Sequence, residues 1–355
     1  MSETLEYKCP NCGGAINFDP SVQEMKCSYC DSKLSLEALK QYSELSGNIS
    51  QEKIDWKFQG QDLNKEELES LKAYSCESCG GEIIAQVTTA ATSCPYCGNP
   101  AVINSQLSGM LRPDLIIPFK LDKTVIAQAF KSFLKGKFLL PGDFKRKYKL
   151  ENIKGIYAPF WLFDCASHTD ACFNGTKVLR RWSDRNYDYV ETGHYKLLRS
   201  GDAAFEKIPV DGSTKMPDEY MEAIEPYNYS ELTDFKMPYL SGFLADKYDV
   251  GVEKSEKRAN ERIGNSMITL LKNTTSGYSV TLETSNIQLA HGDVKYAMMP
   301  VYMLNTKYKN KIYTFAMNGQ TGKFIGNLPV SWGKFFAWFA SVSTAVFVLL
   351  TLLGM

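Results

Sequence analysis

The spacing of apolar positions changes character several times along the 355-residue chain, and each change predicts a different kind of element. In "DKTVIAQAFKSFLKG", Val125, Ala129, Phe130 and Phe133 recur at helical spacing, with Asp122 where an N-cap belongs and Gly136 where a helix ends. "EKSEKRANERIGNSMITLLKN" predicts a second long helix, charged on one side, that turns Ile263, Met267, Leu270 and Leu271 toward a core. Shorter helices are expected from Leu36 to about Ser43, capped by Ser35, and from Asn64 to about Ala73, where Asn64 and Glu67 have capping-box spacing. In "IDWKF", Ile54, Trp56 and Phe58 alternate as in a short strand packed on the second of two cysteine-rich units, the one that follows it in the chain, or on its helix, a partner-docking peptide being the alternative.

Between Leu111 and Leu328 most of the remaining pattern is strand-like. Two stretches, "YAPFWLFDCASHTDACFNGTK" (157–177) and "AMMPVYMLNTKYKNKIYTFAMNGQTGK" (297–323), share a proline, an aromatic strand, a polar turn, a second strand and an Asn-Gly. Each reads as a β-hairpin, and each follows one of the two long helices, which suggests a duplicated α+β unit. Chance likeness between aromatic hairpins is the competing explanation. The pattern then ends in 19 uncharged residues, Phe335 to Leu353, which at 1.5 Å per residue cover about 28 Å, close to a bilayer core. Trp332 and Trp338 stand where an interfacial belt would be, and Lys323 and Lys334 precede the span, so the bulk of the chain is expected on the cytoplasmic side of a cell membrane.

Charge divides the chain. Lys and Arg together number 40, as do Asp and Glu, but residues 1–104 hold 8 Lys, no Arg and 15 acidic residues, a net of −7. Ten cysteines would suggest disulfides in a small secreted chain. Glu3, Glu6 and Lys8 interrupt any apolar run at the start, so reduced, metal-bound cysteines are the better expectation.

Eight of the ten form two copies of one pattern offset by 67 residues: Cys9 and Cys12 with Cys27 and Cys30, then Cys76 and Cys79 with Cys94 and Cys97, 14 residues separating the pairs each time. Each Cys-x-x-Cys knuckle supplies two thiolates, and two knuckles complete a tetrahedron around zinc. Gly13, Gly80 and Gly98 follow the knuckles, where the turn back toward the sulfurs calls for positive φ. Four protein ligands leave no open coordination position, so two structural zinc ions are expected; iron, redox pairs and disulfides are the alternatives. A nucleic-acid clamp should be basic, because neutralised phosphates supply most of its affinity. The acidic segment argues against that role and fits a rigid protein-docking surface better.

Little else offers chemistry. "NGQTGK" lacks phosphate-loop spacing and reads as an Asn-Gly turn. Cys165, His168 and Cys172 lack a fourth ligand nearby in sequence and read as two buried cysteines beside a turn histidine, and His194 and His291 stand apart. No nucleophile stands beside a recognisable base, so an enzyme is not expected.

The series "CPYCGNPAV", "LRPDLIIPFKL", "LLPGDF", "IKGIYAPFWLFDC", "FEKIPVDGS", "EPYNYSEL", "YLSGFLADKYDV" and "YTFAMNGQTGKFIGNLP" resembles the bacterial membrane-anchored zinc-ribbon proteins of transcription-factor-IIB type, sometimes labelled primosomal-helicase-like. The resemblance implies a non-enzymatic membrane adaptor that acts with a second small zinc-ribbon membrane protein. Together they would bring a cytosolic flotillin-like scaffold, of SPFH or virion-core type, to the membrane in envelope stress or resistance to membrane-active toxins. The expected architecture is α+β: a zinc ribbon over 1–34, a helical and loop linker over 35–73, a second ribbon over 74–104, an α+β domain over 105–330 and a single transmembrane helix over 331–355. A membrane-tethered nucleic-acid-binding accessory factor is the alternative function.

Overall fold

The computed structural model describes residues 9–10, 16–20, 24–27, 33–45, 49–51, 54–89, 93–99, 102–104, 110–144, 153–309 and 311–353. Helix and sheet are mixed, and the chain divides into two compact units: Met1–Lys57, Phe163–Ile208 and Glu256–Val294; and Phe58–Leu162, Pro209–Ser255 and Lys295–Met355. In chain order the elements are β1 (Ile16–Asp19), β2 (Glu24–Cys27), β3 (Lys33–Leu34), α1 (Leu36–Leu45), β4 (Ile49–Gln51), β5 (Lys57–Phe58), β6 (Gln61–Asp62), α2 (Lys65–Glu69), β7 (Leu71–Ser75), β8 (Glu82–Gln86), β9 (Val102–Asn104), β10 (Leu111–Arg112), β11 (Leu115–Ile116) and α3 (Lys123–Leu134). They continue as β12 (Lys154–Ser183), β13 (Asp188–Asp211), α4 (Asp218–Ala223), β14 (Thr233–Asp234), β15 (Leu244–Asp246), α5 (Val252–Asn273), β16 (Ser279–Tyr308), β17 (Lys311–Asn318), β18 (Phe324–Gly326) and α6 (Trp332–Leu352).

In the first unit β1, β2 and β3 form an antiparallel sheet, and β4 runs parallel to β16 with Ile49 opposite Ser285. Ser35 accepts from the Ala38 amide through its side chain and starts α1 as expected. The inward row of α5 is Ala259, Ile263, Met267 and Leu271, spaced by four, whereas Leu270 is 50% exposed, one position off that row. Ile263 packs with Cys165, Ile287 and Leu289, and Ile54 and Trp56 close the same cluster. Trp56 meets Phe163 edge-on at 4.9 Å and donates from its ring nitrogen to Asn260. The "IDWKF" stretch therefore does not pack on the second cysteine-rich unit: only Lys57–Phe58 is strand, and Ile54 and Trp56 bury against the α5 face.

The predicted first hairpin is also corrected. Residues 157–177 lie within one uninterrupted strand, β12. The polar run "DCASHTDA" has turn-like composition but alternates: Cys165, Ser167, Thr169 and Ala171 are buried while Asp164, Ala166, His168 and Asp170 are partly exposed. That period of two holds the chain extended, and the buried hydroxyls of Ser167 and Thr169 satisfy each other at 3.4 Å. His168 is accordingly a strand residue and not a turn histidine.

The second unit is built on antiparallel pairing of β7 with β8 and β9, β8 with β15, β11 with β14, and β17 with β16 and β18. Parallel pairings join β12 to β15 and β11 to β16. Here the expected hairpin forms: β16 and β17 pair from Val301 opposite Asn318 to Tyr308 opposite Lys311. The Asn-Gly turn that follows is held by Asn318, whose side-chain oxygen accepts from the amides of Gln320 and Thr321. The core gathers Ile83 and Ala85 of β8, Phe160 and Leu162 of β12, and Met299 and Val301 of β16. α3 starts at Asp122, which accepts from the Thr124 and Val125 amides, and Gly136 follows it at φ 77°. Its buried row is Ile126, Phe130 and Leu134, while Val125, expected inside, is 40% exposed. Phe130 and Leu134 pack with Leu140, Phe144, Leu304, Tyr308 and Phe315.

α2 carries the expected capping box in full: Asn64 accepts from the Glu67 amide at 2.9 Å and Glu67 accepts from the Asn64 amide at 3.1 Å. At the other end, α6 is 21 residues long with mean hydropathy 2.0 and no part of it buried, so it is long and apolar enough to cross a membrane. It begins at Trp332, three residues before the predicted span, because Ser331 caps it by accepting from the Lys334 amide.

Candidate metal centre

Two Cys-x-x-Cys turns of the same local design build the site. In the first, the Gly80 amide donates to the Cys76 carbonyl at 2.7 Å and the Cys76 amide to the Gly81 carbonyl at 3.0 Å. In the second, the Gly98 amide donates to the Cys94 carbonyl at 2.9 Å and the Cys94 amide to the Asn99 carbonyl at 2.7 Å. Gly80 and Gly98 take φ of 67° and 77°, the left-handed region expected of them. Gly81 is needed for a different reason: a Cβ there would lie 2.8 Å from the Tyr96 ring. The Asn99 amide group donates to the Ser78 hydroxyl at 2.7 Å and ties one turn to the other.

These turns bring the sulfurs of Cys76, Cys79, Cys94 and Cys97 within 4.8 Å of one another. Cys76 and Cys97 approach to 3.5 Å and Cys79 and Cys94 to 3.6 Å. A disulfide needs about 2.05 Å, so no such bond joins them. Four thiolates bound tetrahedrally at about 2.3 Å from an ion stand about 3.8 Å apart, which the observed spacing fits. The set can hold a metal ion, and with four sulfurs around it a tetrahedral ion has no vacant position for substrate or water.

The thiols respond differently to their places. Burial pushes the Cys76 thiol up, but the amides of Cys79 and Ser78 and the sulfurs of Cys97 and Cys79 outweigh it, and the pKa falls to about 7. Cys94 and Cys79 are raised, chiefly by burial. Of these three, Cys76 is thus the thiol readiest to lose its proton to an arriving cation, whose charge would favour the thiolate form of the other two.

The surroundings were not legible in the sequence, because they come from distant parts of the chain. The Lys215 ammonium donates to the Cys79 carbonyl at 3.0 Å, and the Asn305 side chain to the Tyr96 carbonyl at 2.8 Å. Lys154 donates to the Ser93 carbonyl at 3.3 Å, its pKa held below the usual lysine value by burial against the pull of Cys94. Lys154, Asn305 and Lys307 also line a cavity of about 600 Å³ beside Cys94 and Cys97, which sets two ammonium groups against a centre that is net negative when four thiolates bind one divalent ion.

Of the other predicted ligands, Cys9 and Cys27 are buried together with Ile16, Met25 and Leu39, while Cys12, Cys30 and Gly13 lie outside the described residues. Cys165 and Cys172 are buried as expected. Cys172 donates to Glu283, whose other oxygen pairs with Lys196 at 2.5 Å, and burial, then Glu283, pushes the Cys172 thiol up to about 12. His168 lies between Asp202, 2.7 Å from Nδ1, and Asp170, 3.4 Å from Nε2.

No family model and no solved structure matches the chain. Among curated proteins it is similar to "Uncharacterized protein YdjG" of Bacillus subtilis (strain 168), 36% identical over 352 residues that cover 99% of this chain and 98% of that protein. At that identity over essentially both whole lengths, the chain belongs to the YdjG family.

Proposed function

We propose that the chain is a non-enzymatic, single-pass membrane adaptor that holds partner proteins at the cytoplasmic face of a bacterial cell membrane. The observation that carries this reading is α6: a 21-residue helix of mean hydropathy 2.0, no residue of which is buried by the rest of the protein. A soluble domain rarely leaves such a surface in water, because exposing apolar area costs about 25 cal/mol per Å². The four-thiolate set at Cys76, Cys79, Cys94 and Cys97 is read as structural zinc, the ion that closed tetrahedral sulfur sites suit best, and a reducing compartment keeps its ligands available. Lys323 and Lys334 before α6 favour the same cytoplasmic side. A second zinc ion on Cys9, Cys12, Cys27 and Cys30, which repeat the spacing of the first set, belongs to the proposal, and so do the flotillin-like cytosolic partner and the second small zinc-ribbon membrane protein that the resemblance implies.

The test is fractionation of cells expressing the full chain, with an alkaline carbonate wash. Retention in the washed membrane pellet is expected, and release into the supernatant would overturn the anchor. Imaging a tagged flotillin-like partner in cells with and without the protein tests the adaptor role; a partner that stays at the membrane in its absence would sink it.

A further inference from the structure

We propose that a pocket at the foot of α6 binds the phosphate of a membrane phospholipid whose headgroup carries hydrogen-bond donors. This rests on the reading of α6 as a membrane span. The pocket holds about 450 Å³ and is walled by Pro141–Asp143, by the β16–β17 turn with Tyr308, Lys309, Lys311 and Tyr313, and by residues 329–333 leading into α6. That volume is in the range of small-ligand sites.

Its chemistry is that of a phosphodiester site. Lys309 and Lys311 are exposed at the rim, and among the described residues neither forms an ion pair. Tyr308 pairs with Lys311, and Lys309 beside that pair takes φ 47°, a conformation side-chain-bearing residues rarely adopt. The turn therefore sets two ammonium groups, two residues apart, at one mouth. Asp143 lines the same pocket, where the charge of Lys309 acts on it. Both its oxygens accept from the Tyr308 hydroxyl, at 3.0 and 2.9 Å, and that bond, which opposes the effect of burial, holds the carboxyl below the usual carboxylate range. A carboxylate is acceptor-only, so beside a phosphate held by two lysines it selects a donor: the ammonium of an ethanolamine or the hydroxyls of a glycerol headgroup. Choline's quaternary ammonium is charged but carries no N–H, so it makes no hydrogen bond to this carboxylate.

The pocket also lies at the right depth. Twenty-one helical residues span about 31 Å, so with α6 across a bilayer its first residue, Trp332, which lines the pocket, stands at headgroup level. The wall is tied to the helix and cannot drift from it: the Ser331 amide donates to the Leu139 carbonyl at 2.8 Å, Lys334 donates to the Leu140 carbonyl at 2.8 Å, and Phe138 meets Trp338 at 5.7 Å.

The experiment titrates the delipidated, detergent-solubilised full chain with phosphatidylglycerol, phosphatidylethanolamine, phosphatidylcholine or inorganic phosphate, and counts bound molecules by native mass spectrometry. Retention of the first two lipids over phosphatidylcholine is expected. The Lys309→Gln/Lys311→Gln variant should lose retention about tenfold or more, given the contribution of each lysine to attraction at an anionic surface. The Asp143→Asn variant should lose discrimination against choline. Unchanged metal content and carbonate-resistant membrane association show that each variant is folded and anchored. Equal retention of phosphatidylcholine by the unaltered chain, undiminished retention by the double lysine variant, or inorganic phosphate binding as tightly as lipid would each overturn the proposal. Release of the unaltered chain by carbonate would instead overturn the reading of α6.

Discussion

Asp246, in β15, is 1% exposed, and among the described residues neither of its carboxylate oxygens reaches a partner in hydrogen-bonding geometry. Burial lifts its pKa from 3.8 to about 7, with the nearby hydroxyls of Ser213 and Tyr96 pulling it part of the way back. The folded chain thus holds a proton that the unfolded chain has released between about pH 4 and pH 7, so this group's contribution to stability falls across that window. Asp246→Asn is expected to stabilise the detergent-solubilised chain by up to about 4 kcal/mol at pH 8 and by little at pH 4, as chemical denaturation would measure. His168 has the opposite sign. Its bond to Asp202, and then Asp170, raise its pKa above 6.5, so the stability it adds is present below 6.5 and lost as pH rises through the folded value. His168→Gln should therefore lower the melting temperature at pH 6 and leave it unchanged at pH 9. At the metal centre, Cys76→Ser or Cys94→Ser should remove one equivalent of bound metal by elemental analysis, since three thiolates cannot close a structural site.

The elements show what the sequence made legible and where it stopped. Caps were readable because they are local: Asn64 with Glu67, Ser35 and Asp122 act within three residues of themselves. Asn64→Ala is expected to cost about 1 kcal/mol and to raise amide exchange in α2. The knuckles were readable for the same reason, since their spacing alone aligns the sulfurs. Exact helix faces were not: Val125 and Leu270 fit a helical period but lie one position off the rows of four that pack. Nor was the path of β12, where polar residues resemble a turn and only burial on alternate sides reveals a strand. Lys154, Lys215 and Asn305 reach the metal centre from 136 to 210 residues away in some of their contacts and only 61 in another, a relation that no local pattern encodes. Phe130, wholly buried, meets Phe315 at 5.5 Å, and Phe130→Ala should cost about 3 to 5 kcal/mol in thermal unfolding.

For the whole molecule, the metal centre is part of a larger sheet, because β8, which follows the first knuckle, pairs with β15 through Leu244, Ala245 and Asp246. Stripping the metal with a chelator should raise hydrogen exchange in β7, β8 and β15 together, and exchange confined to residues 76–81 and 94–99 would contradict that coupling. Replacing Val346, near the middle of α6, by Arg should impair membrane integration, since a central arginine costs about 2.5 to 3.5 kcal/mol. Topology also sets a timetable. Leu115 pairs with Ala297, so β11 must wait for 182 more residues to be made. At 5 to 20 residues per second that delay is about 10 to 40 s. The cysteines of 76–97 are complete long before then and can take their metal while the chain is still growing. The knuckle is then in place as a template when its partner strand, made some 150 residues later, arrives.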